Sequence, residues 1–154
     1  MKHHTKDKGD IGLGFILADL MDHDIHVALP ISEHLPFDCI AISSDLQMKR
    51  VSVKFRNMHK NTLSVKLKSV WSDRHGTHIK IHDKTSYDCI AVYCPNTRSC
   101  YYVRMDEIEG FDLLLRISPA KNHQVKHIKY AEDFANPERI FAPVLAPSSK
   151  RVGA

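Results

Sequence analysis

Within residues 48–56, Met-Lys-Arg-Val-Ser-Val-Lys-Phe-Arg, polar and apolar side chains alternate from Arg50 to Arg56. A period of two is the signature of a β-strand with two unlike faces. Val51, Val53 and Phe55 fall on one face, and Arg50, Ser52, Lys54 and Arg56 on the other. Just upstream, the apolar run Phe37–Ile42 ends in the polar turn Ser43-Ser44-Asp45. Two strands joined by so short a polar connection predict an antiparallel hairpin.

Further strands are expected on both sides. His26–Pro30 reads as a short one, and Ile31–Leu35 as a loop. Asn57–Asn61 reads as a turn. Thr62–Lys68 alternates again, with Leu63, Val65 and Leu67 inward. Tyr87–Cys94 reads as a buried strand, Pro95-Asn96-Thr97 as a turn and Cys100–Arg104 as its hairpin mate. Leu113–Ile117 completes the set. The basic, histidine-rich stretch Trp71–Ser86 reads as a long loop turning at Asp73-Arg74-His75-Gly76. Phe37-Asp38-Cys39-Ile40-Ala41-Ile42 and Tyr87-Asp88-Cys89-Ile90-Ala91-Val92 look alike, but their surroundings do not match in register, so no true repeat is read.

Asp10–Asp24 predicts a helix whose apolar stripe is Ile11, Phe15, Ala18 and Met21, widened by Leu13, Leu17 and Leu20. Gly12 and Gly14 weaken its first turns, and close contact with a strand is favoured there over approach of a substrate backbone. Lys121–Lys129 is polar. Tyr130–Phe141 is expected to hold one short helix broken at Pro137. The fold class that follows is α/β: a mixed sheet flanked by helices, with the first helix on one face. Residues 1–142 are expected to form one domain and 143–154 a frayed tail.

The chain has 154 residues, 43% apolar and 26% charged, as expected of a globular domain with a real core. It has no run long enough to cross a membrane. The polar start Met1–Lys8 is unlike a signal peptide, and the expected setting is cytoplasmic. Cys39, Cys89, Cys94 and Cys100 match no paired zinc spacing, and Cys39 and Cys89 are expected as buried thiols. His75, His78 and His82 are not spaced as a usual zinc cluster. Trp71 is expected to anchor its loop to the core rather than stack on a base. A net charge of +4 permits a polyanionic partner without requiring one.

Asp38 opens an otherwise apolar strand, and Lys54 lies on the polar face of its neighbour. On spacing alone, Asp38 reads first as a strand-end cap or ion-pair partner and second as a metal ligand. Lys54 reads first as a solvated lysine. Together they suit phosphodiester cleavage, in which an acid holds a cation and an ammonium sits near the attacked phosphate or the attacking water. The backbone carbonyl of Val53, beside Lys54, is a further candidate ligand.

Four segments in order carry a family resemblance. They are Thr5-Lys6-Asp7-Lys8-Gly9-Asp10-Ile11-Gly12, His34-Leu35-Pro36-Phe37-Asp38, Arg50-Val51-Ser52-Val53-Lys54 and Tyr87-Asp88-Cys89-Ile90-Ala91-Val92-Tyr93-Cys94-Pro95. In these segments the chain resembles the PD-(D/E)XK nuclease superfamily, in particular its small group of intron-associated homing endonucleases, over roughly residues 5–117. The resemblance implies a restriction-endonuclease-like core and a magnesium-dependent DNA endonuclease, with manganese as an alternative ion. It assigns Asp38 to the metal and Lys54 to catalysis. It also expects a glutamate directly after Gly12, where this chain has Leu13, and a second acid or glutamine where it has Ser52. Either the site is depleted, leaving a DNA-binding protein or a degenerate nuclease, or Asp10, Glu33 or Asp45 has moved in from nearby loops to replace an acid. In a nuclease, Ser52 would hold a metal-bound water instead of binding the ion directly.

The expected partner is double-stranded DNA. The candidate contacts are Lys6, Lys8, Lys49, Arg50, Arg56, Lys60, Lys66, Lys68, Arg74, His78, Lys80 and Lys84, most of them within the basic middle third. One site per chain and two strands to cut imply a homodimer or homotetramer.

Overall fold

The computed structural model of the chain describes residues 4–119 and 128–143. The chain begins with helix α1 (His4–Asp22), followed by strands β1 (His26–Ala28), β2 (Cys39–Ile42) and β3 (Met48–Phe55). Next come β4 (Thr62–Lys66), β5 (Lys68–Asp73), β6 (Gly76–Ile81), β7 (Cys89–Cys94), β8 (Ser99–Arg104) and β9 (Asp112–Arg116). Short 3-10 helices cover Met105–Glu107, Ala131–Phe134 and Pro137–Phe141.

Five strands form one sheet in the order β1-β2-β3-β7-β8, with β3 and β7 parallel and every other pair antiparallel. The expected hairpin is the β2–β3 pair, with Cys39 opposite Val51 and Ile42 opposite Met48. β7 lies in the middle of the fold and is buried along its whole length. The mixed sheet and its helix form the α/β restriction-endonuclease-like fold.

Each face of the sheet has its own core. On one side α1 packs Ile16 and Leu20 against Cys39, Ala41, Val51, Cys89, Ala91, Tyr93 and Tyr102, with Val53 and Phe55 at the edge. On the other, Ile90, Val92, Tyr101 and Val103 meet Leu63, Val65 and Leu67 of the β4 segment and Leu113 and Leu115 of β9. β4 and β9 form a separate two-stranded sheet, so strands rather than a second α-helix cover this face. Tyr102 Oη donates to Asp19 Oδ2 at 2.7 Å and ties α1 to β8.

Several expectations need correction. α1 starts at His4, not Asp10, and buries Gly12, Ile16 and Leu20, while Ile11, Phe15 and Met21 are exposed. Residues 11–21 are apolar nearly all round, so periodicity cannot choose the face. Close approach chooses it. A Cβ on Gly12 would lie 3.3 Å from Phe55 Cβ, whereas one on Gly14 would meet nothing within 4 Å. Gly12 therefore makes the expected strand contact and Gly14 does not.

Trp71–Ser86 is not one long loop. Most of it belongs to an antiparallel ribbon of β5 and β6, turning at Asp73–Gly76 as expected. Trp71 is not a core anchor either. It is about half exposed and stacks on His78 across the ribbon, with ring centroids 5.3 Å apart. In the C-terminal region Pro137 opens the second 3-10 helix, where its missing N–H costs nothing, rather than breaking a longer one. Cys39 and Cys89 are buried free thiols, and burial pushes the Cys39 thiol up to about 12. Residues 121–127 of the expected polar stretch and 144–154 of the expected tail lie outside the described residues.

Candidate active site

β3 is held from both sides by the two look-alike segments. On the β7 side Asp88 Oδ2 accepts the Arg50 N–H at 2.7 Å, and the Asp88 N–H donates to the Arg50 carbonyl at 2.9 Å. On the β2 side Asp38 Oδ2 accepts the Val53 N–H at 2.6 Å, and the Asp38 N–H donates to the Val51 carbonyl at 2.9 Å. Each aromatic–aspartate pair thus extends the ladder by one side-chain bond where regular pairing stops. Cap and ligand need not exclude each other, because a carboxylate has about four acceptor positions and Asp38 is exposed.

The two aspartates differ in their other partners. Asp88 also takes the Arg50 guanidinium at 3.1 and 3.2 Å, and Arg50 reaches the Thr85 carbonyl at 3.0 Å. Burial works against the Asp88 charge, but the Arg50 hydrogen bonds and charge outweigh it and hold the carboxyl below the usual carboxylate range. Asp38 has no ion pair among the described residues. The N–H and C=O of one strand residue point to the same edge, so the Val53 carbonyl lies on the Asp38 side, past the last β2–β3 pair.

Ser52 and Lys54 project from the face opposite α1. They line a pocket of about 380 Å³ with Pro36, Lys80, Ile81, His82, Asp83, Ser86 and Tyr87. Burial pulls the Lys54 ammonium below the ordinary lysine value; Asp38 opposes this and Arg56 adds to it. Lys54 has no hydrogen bond or ion pair among the described residues. Ser52 is buried, with 2% of its surface exposed. The Tyr87 hydroxyl is buried without a partner among the described residues, and burial, with Asp38 nearby, raises its pKa. His82, at the end of β6, pairs Nε2 with Ser69 Oγ at 3.1 Å. Burial and the Lys54 and Lys80 charges lower its pKa.

The donor set can be tested against a divalent ion. Asp38 and the Val53 carbonyl are hard oxygen donors, suited to magnesium that keeps several waters and takes substrate oxygens. Among the described residues no three His, Cys, Asp or Glu side chains gather as a metal cage. The residues therefore fit a partly hydrated ion and not a closed site. Leu13 packs at the edge of the α1-side core. Asp10 is exposed on α1 and has no partner among the described residues. Glu33 is exposed in the loop before β2. Asp45 is bound to Ser43 and Gln47 in the β2–β3 turn, at the end of the hairpin away from Asp38. Its proposed migration into the site is therefore ruled out by the register.

The basic residues do not form one group. Lys80 lines the pocket with Lys54, and Lys68, Arg74, His78 and Lys80 belong to the ribbon. His78 is paired with Asp73 at 3.0 Å. Lys49, Arg50 and Lys84 border a second pocket, and Lys84 Nζ donates to the Ile108 carbonyl at 2.8 Å. Arg56 is half-buried, with its guanidinium on the Phe55 carbonyl at 2.9 Å. Lys6 and Lys8 are exposed on α1, Lys60 in the turn before β4 and Lys66 on β4. Sequence reasoning missed His82, Asp83 and Tyr87. The alternation of Ile79 and Ile81 after the Asp73–Gly76 turn was the signal for the strand that delivers His82.

No curated protein matches. Among solved structures, the bacterial homing endonuclease I-Ssp6803I is similar in fold, with a TM-score of 0.66, 16% sequence identity, and coverage of 84% of this chain and 87% of that one. The family model of the PD-(D/E)XK endonucleases matches residues 3–137, and the chain belongs to that family.

Proposed function

We propose that the protein is a magnesium-dependent endonuclease that hydrolyses phosphodiester bonds in double-stranded DNA, with manganese able to replace magnesium. The observation that carries this reading is the meeting of three groups at one end of β3: the exposed Asp38 carboxylate, the Val53 carbonyl beside it, and a half-buried Lys54, without an ion pair among the described residues, in an open pocket. Asp38 and Val53 would hold the ion, which when bound supplies Lewis acidity at the phosphate. Lys54, poorly solvated and with no anion bound to it among the described residues, would stabilise charge on the attacked phosphate or orient the attacking water. Ser52 is too short to replace a carboxylate and would hold an ion-bound water. Asp10 would act on the ion only through water.

DNA would lie across the pocket mouth, with Lys80 and the ribbon residues Lys68 and Arg74 beside it. Lys49, Lys60, Lys66, Lys6 and Lys8 would contact phosphate further out. Two strands need two sites, and one chain carries one, so a homodimer or homotetramer is the working form. The exposed Ile11, Phe15 and Met21 on α1 favour self-association.

Leu13 and Ser52 support a second reading, a catalytically silent DNA-binding protein on the same scaffold. Plasmid cleavage with magnesium or manganese separates the two. The nuclease reading expects cleavage by the natural chain and its loss in Asp38→Ala and Lys54→Ala. Tight binding with no cleavage by the natural chain leaves the silent protein.

A further inference from the structure

A hydrolytic site must take a proton from the attacking water, and the buried hydroxyl beside Lys54 in this pocket is that of Ser52. An un-ionised serine hydroxyl is a poor proton acceptor at neutral pH. The same pocket contains an imidazole. His82 leaves the end of β6 and lines the cavity with Ser52 and Lys54. Its Nε2 is held by Ser69 Oγ at 3.1 Å. With Nε2–H donating to Ser69, the Nδ1 lone pair is free to accept. This is the arrangement of an oriented base: one ring nitrogen fixed by a neighbour, the other available.

We propose that His82 is the proton acceptor for the attacking water. Ser69 is its positioning residue. The proposal rests on the nuclease reading above. In the step, the water oxygen bonds to phosphorus as its proton passes to Nδ1 of His82. The bond from phosphorus to the leaving sugar oxygen breaks, and that oxygen departs with the electron pair and takes a proton from solvent. The imidazolium then loses its proton to solvent. No electrons are exchanged with an oxidant or reductant.

The surroundings keep the ring in the accepting form at neutral pH. Burial disfavours the imidazolium, as do Lys54 on β3 and Lys80 on β6. Asp83 follows His82 directly, but its Oδ1 is engaged by the N–H and hydroxyl of Thr85 at 2.8 and 2.7 Å. Tyr87, just before β7, lines the same pocket with a hydroxyl that burial keeps neutral, and the Asp38 charge acts on Lys54 and Tyr87.

The test is the pH dependence of plasmid cleavage in magnesium for the natural chain, His82→Gln and Ser69→Ala. DNA affinity is measured in calcium, and the histidine ring nitrogens are followed by NMR in the metal-free protein. The natural chain should gain rate as pH rises through a histidine ionisation and then level off. His82→Gln should lose about 100-fold or more in rate, and that rising limb, with DNA affinity within about twofold. Ser69→Ala, which keeps the imidazole and guards against a His82 variant that fails to fold, should lose about 3- to 10-fold and shift the limb. NMR should show the Nε2–H tautomer at neutral pH. Cleavage by His82→Gln at the natural rate with the same limb overturns the role of His82 and leaves the nuclease reading intact. An Nδ1–H tautomer also overturns it. Absence of cleavage by the natural chain removes the nuclease reading and this proposal together.

Discussion

Asp38 Oδ2 accepts the amide N–H of Val53 at 2.6 Å, so the candidate metal ligand is also a peg in the backbone of the strand that bears Lys54. Structure and chemistry at this residue can be separated by substitution. Asp38→Asn keeps a carbonyl acceptor and removes the charge; it should unfold within about 0.5 kcal/mol of the natural chain yet lose cleavage. Asp38→Ala removes both and should cost about 1 kcal/mol more, because the amide is left to water. Urea denaturation beside a cleavage assay checks both. Equal stability of the two variants would mean the bond to Val53 carries no weight.

Asp88 provides the contrasting case. Its Arg50 clamp is structural, so Asp88→Asn should leave cleavage near the natural level while lowering stability by about 1–2 kcal/mol, a figure reduced for partial exposure. The Asp88 carboxyl is held below its unfolded value. Its contribution is therefore complete above the unfolded carboxylate range, near pH 4, and disappears as pH falls through the lower folded value. Denaturation from pH 7 down to 2 should show the natural chain and Asp88→Asn converging only below about pH 4. Convergence already at pH 6 would exclude this origin.

Gly12 and Gly14 should respond in opposite ways to added bulk. Gly14→Ala meets open space and should stabilise α1 by about 0.5–1 kcal/mol. Gly12→Leu would push the helix off Phe55 and should cost about 2–3 kcal/mol. Thermal melts of the two variants decide the matter, and a stable Gly12→Leu would contradict the helix–strand contact.

Restoring acids should have unequal effects. Ser52→Glu places a carboxylate in the Lys54 pocket, whereas Leu13→Glu places one at the edge of the α1-side core. Ser52→Glu should bind magnesium more tightly by calorimetry, and its melting temperature should rise with added magnesium, because the ion relieves a buried charge. DNA affinity without metal should fall. No gain over the natural chain would place the metal elsewhere.

The ribbon makes a prediction about salt. If Lys68 and Lys80 contact phosphates, each alanine variant should reduce the slope of log affinity against log salt by about 1 and weaken all DNA sequences alike. Fluorescence anisotropy across a salt series measures this. An unchanged slope would remove the residue from the interface.

The legible parts of the sequence were those where two faces of an element differ. β3 could be read correctly because Val51, Val53 and Phe55 meet one core while Ser52 and Lys54 meet a pocket. α1 gave a helix but the wrong stripe, because apolar side chains surround it and the buried face is chosen by the contact of Gly12 with Phe55. β5 and β6 were hidden for the opposite reason. Both faces of the ribbon are largely exposed, so Val70 and Trp71 gave no alternation against a core. Asp38 and Lys54 could be paired from sequence through a short hairpin. His82 could not, because its nearness to Lys54 comes from the path of the ribbon and not from spacing. Weighing it with His75 and His78 looked along the chain for a relation that exists only across the fold.

β3 lies between β2 and β7 with a core side chain from Val51 beneath it, while the β5–β6 ribbon stands apart as its own two-stranded sheet. Amide hydrogens report this difference. The amides of Ser52 and Lys54 should exchange with solvent only when the entire domain opens, and those of Val70 and Ile79 through local fraying that leaves the domain intact. Lys54 would then be as durable as the fold itself, and the arm beside it free to rearrange at little cost. A protease should nick that arm long before the domain is lost, and the nicked protein should keep its melting transition.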